Sequence, residues 1–259
     1  MLINGKEASY DVVASEYYDP AAHPTCYNFN RLSRVYLERW IPEPWTDRSI
    51  LEVGAGNSCV AAILHARGYQ LNDLDITDAS APMLAHSERW KTCGAVLAIS
   101  EARSINRADG TLGLLVASLG DPYNVPEFWL EVCRVIRPGG AVLFTIPSFE
   151  WAVRFRAAGV STQKLHEAEF ELRDGRVVSL PSFILPLEEQ VKMMEKAGLM
   201  LVNFESLGAD ALPTDRRSPK IDVFASDASS LVWGFRAIRQ RRPVAQAIRE
   251  LWKEVHTLP

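Results

Sequence analysis

The stretch Ser49–Leu84, SILEVGAGNSCVAAILHARGYQLNDLDITDASAPML, constrains this chain more than any other part of it. Ile50, Leu51 and Val53 form an apolar run with the character of a buried strand. The run breaks at Gly54 and Gly56 and resumes as an apolar-periodic helix over Cys59–Ala66. Strand, glycine turn and helix make half of a βαβ unit. Glycine suits such a turn because backbone without Cβ reaches unusual dihedrals and lets a ligand come to contact distance. A second strand ends on Asp78, followed by Ala79, Ser80 and a helix carrying Met83 and Leu84. A carboxylate at the C-terminal end of that strand, beside the glycine turn, is placed to hold a ribose diol. A dinucleotide fingerprint, G-x-G-x-x-G, would need glycine where Cys59 stands, which counts against NAD. Any other nucleotide-dependent α/β protein is the plainer reading of the same turn.

The run EVGAGNS followed by ITDASAPML resembles the nucleotide-binding half of class I S-adenosylmethionine-dependent methyltransferases. Glu52 stands two positions before the first glycine, and the small Ser58 stands where that family usually has a third glycine. The resemblance implies that Glu52 helps hold the methionine end of the cofactor through water or backbone. It also implies that the turn of Gly54, Ala55, Gly56, Asn57 and Ser58 passes under that end, and that Asp78, flanked by Ala79 and Met83, takes the ribose hydroxyls. Asp75 fits the usual spacing from Glu52 as well, but followed by Ile76 and Thr77 it reads as strand interior, so Asp78 is preferred. EARSINRADG matches the family's third cofactor stretch. There Glu101 would face the adenine amino group and the amide of Ala102 would read the ring edge; an ionised carboxylate, being acceptor-only, suits an exocyclic amine.

The exit of the following strand, SLGDPYN, is where chemistry is expected, because doubly wound sheets bind ligands outside the carboxyl ends of strands near the topological switch. Ser118 and Leu119 are assigned there to the cofactor, and Asp121 and Tyr123 to the reaction. DPY resembles the (Asp/Asn)-Pro-Pro-(Tyr/Phe) loop of amino-methyltransferases, although a turn made by Asp121 and Pro122 explains it equally. The R-P-G-G turn before an apolar strand is also common in the class, so the match runs in order from Ser49 to Ser148. The start Y-D-x-x-A-x-x-Y-Y-D resembles the N-terminal cap of many such enzymes, implying that Tyr17 or Tyr18 closes over the methionine end. Simple packing of these aromatics on the body is the competing reading. His23, beside Pro24, is a third candidate base or a structural hydrogen-bonder.

The expected architecture is a doubly wound, Rossmann-like α/β fold: a seven-stranded, mostly parallel sheet with an N-terminal helical cap and a mid-chain lid. The cap spans 1–48, with a helix from Asn30 to Trp40. The methyltransferase domain spans 49–227, with the lid at 149–186, and a helical tail follows at 228–259. Within these, Pro82–Lys91 reads as a helix and HEAEFELRDGRVVSLPSF as a hairpin turning at Asp174 and Gly175. Met200–Ser206 and Ile221–Ala225 read as the last two strands, and the tail as helices carrying Arg236, Arg239, Arg241 and Arg242 and then Val244–Val255.

At 259 residues with 47% hydrophobic content, the chain can bury one large core. A net charge of −4 gives no global basic footprint, so nucleic acid is not an expected partner. Cys26, Cys59, Cys93 and Cys133 show no C-x-x-C spacing and suit reduced, buried thiols of a cytoplasmic protein; no metal site is expected. No membrane segment is recognisable. The resemblance therefore implies S-adenosyl-L-methionine as cofactor and methyl transfer to nitrogen or oxygen of a small molecule, with a homodimer left open. A protein lysine methyltransferase, or an inactive cofactor-binding partner subunit, is the alternative.

Overall fold

The computed structural model describes residues 2–3, 6–7, 9–43, 49–156, 166–225 and 230–240. Strands β1 (Leu2–Ile3) and β2 (Lys6–Glu7) form a small antiparallel pair. Helix α1 (Tyr10–Val13) follows, with Ser9 accepting the Asp11 amide at its N-terminus. Helix α2 (Pro24–Trp40) begins at a proline, not at Asn30, because proline fits the first helical turn where its missing N–H has no partner to lose. The alternating core then runs β3 (Ile50–Glu52), α3 (Cys59–Ala66), β4 (Leu74–Asp78), α4 (Ala81–Leu84), β5 (Val96–Ile99), β6 (Leu112–Ala117), α5 (Pro126–Val135) and β7 (Ile136–Pro147). Helix α6 (Phe149–Arg156) leads to the hairpin β8 (Glu167–Glu171) and β9 (Val177–Pro181). The chain closes with α7 (Leu187–Lys196), β10 (Leu199–Leu207), α8 (Pro219–Ala225) and β11 (Val232–Arg239).

The main sheet has seven strands in the order β10-β11-β7-β6-β3-β4-β5. Strands β3 to β7 run parallel, and β11 lies antiparallel between β7 and β10. The chain winds outward from β3 through β4 to β5, then returns to β6 on the other side of β3. The carboxyl ends of β3 and β6 are therefore the switch point, where crossovers diverge to opposite sides and leave a crevice. One face is covered by α2, α3 and α8 through Leu32, Tyr36, Val60, Ile63 and Phe224; the other by α5 and α7 through Phe128, Trp129, Val132 and Met194. Buried on both faces, Leu114, Leu115, Val116 and Leu143 read as continuous apolar runs.

Three further elements differ from the sequence reading. Ile221–Ala225 lies inside α8, because Ser218 before Pro219 starts a helix and sends Ile221 and Phe224 to the same apolar face. The strand expected there is β11, so the sheet domain continues past residue 227 and takes in Arg236 and Arg239. Arg236 stacks its guanidinium over the Trp40 ring at 5.4 Å, and Arg239 donates to the carbonyl of Ile136 at 2.6 Å, so both charges leave the core. Arg241, Arg242 and Val244–Val255 lie outside the described residues. The helix expected over Pro82–Lys91 is α4 followed by a 3₁₀ stretch over Ala85–Cys93 that ends at Gly94. No helix among the described residues is long and apolar enough to cross a membrane.

Candidate functional site

The glycine turn after β3 is held from behind by Glu52. This fully buried carboxyl accepts the Ser58 hydroxyl and the amides of Cys59 and Val60, at 3.1 and 3.3 Å, partnering N–H groups that the first turn of α3 leaves open. Burial nonetheless pushes Glu52 up to about 7. Ser58 caps α3 by accepting the Ala61 amide at 2.9 Å. Gly54 and Gly56 sit at φ +58° and +46°, and a Cβ on Gly56 would fall 2.0 Å from the Tyr18 hydroxyl oxygen. Glu52, Gly56 and Ser58 therefore shape the turn; none of them borders the cavity above it.

That cavity, about 340 Å³, opens at the carboxyl ends of β3, β4 and β6. Its floor is Gly54, Ala55 and Asn57, and one wall is Asp78, Ala79, Ser80 and Met83. Ser100–Arg103 close another side, with Glu101 exposed and Ala102 buried; Ser118 and Leu119 form the inner end. Asp78 is 8% exposed and accepts the Gly56 and Ser80 amides, each at 2.9 Å, on separate oxygens. Burial raises its pKa. Asp75 is turned away from this cavity and ion-paired with Arg107.

The N-terminal segment lies over the same opening. Ser80 donates to the Asp11 carboxylate at 2.5 Å, and the Asn57 amide donates to the Tyr18 hydroxyl at 2.8 Å. Tyr18 packs edge-on against His86 and Tyr17, both with ring centroids at 5.0 Å. Ser9, Tyr10, Asp11, Asn30 and Pro181 also border the cavity and were not anticipated from sequence; the Y-D-x-x-A pattern around Asp11 was the available signal.

Leu119 is the one non-glycine among the described residues with φ in the left-handed region, at 52°. Its amide donates to Thr145 Oγ1 at 2.9 Å; that hydroxyl, Ser33 and Ser118 form a chain with two further 2.7 Å contacts. A leucine in this conformation carries strain that the surrounding bonds hold in place. Leu119, Tyr10 and Tyr17 border the first cavity and also a second, larger one of about 630 Å³. Phe29, Trp151, Phe155 and Phe170 line the second, with Asp121, His23 and the β8 glutamates.

The three candidate reactive residues separate here. Tyr123 borders the smaller cavity and donates its hydroxyl to the Val53 carbonyl at 2.9 Å, which props the glycine turn; burial raises its pKa well above the ordinary value. Asp121, 7% exposed, borders the second cavity and accepts the Ser182 hydroxyl. His23 borders it too, with Nε2 at 3.3 Å from Glu16 Oε1, both side chains buried. No group of three metal-ligating side chains occurs among the described residues.

The fold is the one shared by class I S-adenosylmethionine-dependent methyltransferases. Among similar solved structures, an S-adenosylmethionine-dependent methyltransferase from Mesorhizobium loti superposes at a TM-score of 0.56 with 14% identity, over 80% of this chain and 98% of that one. Geranyl diphosphate C-methyltransferase from Streptomyces coelicolor, solved with geranyl diphosphate and S-adenosylhomocysteine, gives 0.57 with 11% identity over 80% and 76%. Phosphoethanolamine N-methyltransferase 2 from Haemonchus contortus, solved with phosphomonomethylethanolamine and S-adenosylhomocysteine, gives 0.59 with 15% identity over 89% and 59%. No family model and no curated protein sequence matches this chain.

Proposed function

We propose that this chain is an S-adenosylmethionine-dependent methyltransferase acting on nitrogen or oxygen of a small molecule. The observation that carries the reading is a pair of cavities meeting at Leu119, at the switch point of the sheet. The smaller cavity fits the cofactor by the chemistry of its donors and acceptors. A carboxylate offers about four acceptor positions, and the Gly56 and Ser80 amides occupy two of those on Asp78, leaving room for a vicinal diol. Met83 and Ala102 present apolar faces to a purine, and Glu101 an acceptor to its exocyclic amine. Two similar enzymes were solved with S-adenosylhomocysteine, which supports this assignment.

When bound, the cofactor supplies a methyl on a sulfonium, passed to an acceptor lone pair while the C–S electron pair stays on sulfur. The chain's own contribution is orientation, exclusion of water and removal of a proton. Tyr17 and Tyr18 cover the smaller cavity, and α6 with the β8–β9 hairpin encloses the larger as a substrate lid. Such enclosure suits a small acceptor better than a macromolecular surface. His23, oriented by Glu16, and Asp121 are the proton acceptors on the larger cavity's wall. Cys26, Cys59, Cys93 and Cys133 are all free thiols, which fits a reducing, cytoplasmic setting.

The test is calorimetric titration of S-adenosylhomocysteine into the protein, with NAD and NADP as controls. Binding of the first alone is the expected result. No binding, or preference for a dinucleotide, would overturn the reading.

A further inference from the structure

The β8–β9 hairpin does more than wall the larger cavity, because its turn reaches the carboxylate that holds His23. Glu16, in the segment after α1, is buried and borders neither cavity. Its Oε1 lies 3.3 Å from His23 Nε2, and its two oxygens accept the Arg173 amide at 3.3 and 3.4 Å. The Arg173 guanidinium pairs with Asp19 of the same segment, and Phe170 meets the His23 ring edge-on at 5.5 Å. One carboxylate is thus shared between a candidate base and the tip of the lid. The sharing also fixes where the histidine carries its proton. An ionised carboxylate accepts and cannot donate, so the bond to Nε2 places the ring proton there and leaves the lone pair on Nδ1. That lone pair is not spent on the helix that follows: His23 is the N-cap residue of α2 and makes no side-chain bond to its first amides. His23 borders the larger cavity and Glu16 does not, so Nδ1 is the ring nitrogen left for a ligand.

Resting on the methyltransferase reading above, we infer that Glu16 is a positioning residue, that His23 Nδ1 is the atom that takes the acceptor's proton, and that docking of the hairpin through Arg173 completes the pair. As the acceptor's lone pair bonds to the methyl carbon, the C–S electron pair stays on sulfur. The acceptor's O–H or N–H proton passes to Nδ1, and the imidazolium so formed faces Glu16 through Nε2–H. With the hairpin lifted, Glu16 lacks the Arg173 amide and His23 lacks Phe170. Closure of the cavity and preparation of the base are then one event.

The turn itself allows the amide to be removed separately. Gly175 donates to the Leu172 carbonyl at 2.9 Å and Leu172 to the Arg176 carbonyl at 2.8 Å. Gly175 has φ +82°, and neither Arg173 nor Asp174 has positive φ. Arg173 is therefore the second residue of a type I turn followed by a left-handed glycine, a position that favours proline. Arg173→Pro deletes the N–H and the guanidinium but suits the turn; Arg173→Ala deletes the guanidinium alone. Heteronuclear NMR of the nitrogen-labelled full chain reads the proton on each ring nitrogen, with His23 assigned by the signals missing from His23→Gln. In the wild type the neutral ring should carry its proton on Nε2, and phenol, a hydroxyl probe for the cavity, should move the Nδ1 resonance. Exchange of the Nε2 proton with water should be at least about tenfold faster in Glu16→Ala, and at least about threefold faster in Arg173→Pro than in Arg173→Ala. A wild-type proton on Nδ1, an Nδ1 resonance unmoved by phenol, unchanged exchange in Glu16→Ala, or equal rates in the two Arg173 variants would each refute the inference. Should Glu16→Ala fail to fold, the wild-type spectra and the Arg173 pair still decide it. None of these signals needs a bound cofactor, so they stand apart from the S-adenosylhomocysteine titration that tests the methyltransferase reading.

Discussion

Replacing Glu52 by glutamine tests whether the carboxyl behind the glycine turn governs the pH dependence of stability. Burial raises Glu52 from an ordinary 4.5 to about 7, against the pull of the Ser58, Cys59 and Val60 donors. The folded state then holds this proton more tightly than the unfolded chain does. Its contribution is complete below the unfolded value of 4.5 and is lost as pH rises through 7. Over that window the group is worth on the order of 3 kcal/mol. Glutamine keeps the shape, can accept the Cys59 and Val60 amides through its carbonyl, can donate to Ser58, and has no proton to release. Urea denaturation of both proteins should show the wild type losing about 2.5 kcal/mol relative to Glu52→Gln between about pH 5 and pH 8. The difference between the proteins cancels other titrating groups, including Asp78, which burial also raises. Parallel stability profiles would refute the reasoning: the three donors would then keep Glu52 ionised across the range.

Asp78→Ala should weaken S-adenosylhomocysteine binding by on the order of 1.5–3 kcal/mol in calorimetry, because it removes a charged acceptor and frees the Gly56 and Ser80 amides; unchanged affinity would point to another carboxylate. Gly234→Ala puts a Cβ 2.4 Å from the Tyr36 ring and should cost about 1–3 kcal/mol in urea denaturation. Ser33→Ala removes the hydroxyl linking Ser118 and Thr145, and should cost about 1–2 kcal/mol of stability with weaker S-adenosylhomocysteine binding as Leu119 relaxes. Tyr123→Phe should lose about 1 kcal/mol of stability through the Val53 carbonyl; an acceptor-dependent change in the pH profile of turnover would contradict its assignment as a prop.

The parallel half of the sheet was legible because local and tertiary signals agree there. Cys59–Ala66 carries helical spacing between a serine cap and a terminal turn, and Asp78 ends a strand whose neighbours are apolar. The antiparallel strand was hidden by its arginines. In VWGFRAIR, Trp233, Phe235 and Ala237 face α5 and α7, whereas Gly234 lies under Tyr36 and Arg236 reaches Trp40. Only that outside aromatic pair makes an arginine tolerable in the sheet, and no local pattern announces a partner almost two hundred residues away. Asp78, Ala102 and Leu119, picked out by their positions at or just past strand ends, border the smaller cavity. The division of labour between Glu52, which builds the turn, and Asp78, which borders the cavity, depends on side-chain direction, which spacing alone does not give. The direction of Tyr123 was hidden for the same reason: its ring folds back under Gly54, where its hydroxyl meets the Val53 carbonyl.

The position of β11 bears on how the molecule is made. During synthesis the five parallel strands and β10 emerge before Val232–Arg239, yet β10 touches the rest of the sheet only through that segment. Until residue 239 has left the ribosome, β7 presents an unpaired edge, and β10, though packed against α7 and α2, has no strand to pair with. An exposed edge of this kind invites pairing with another nascent chain. Shielding by a chaperone is therefore most needed late in translation, and a premature stop at residue 231 would leave a sticky half-sheet in place of a smaller, closed fold.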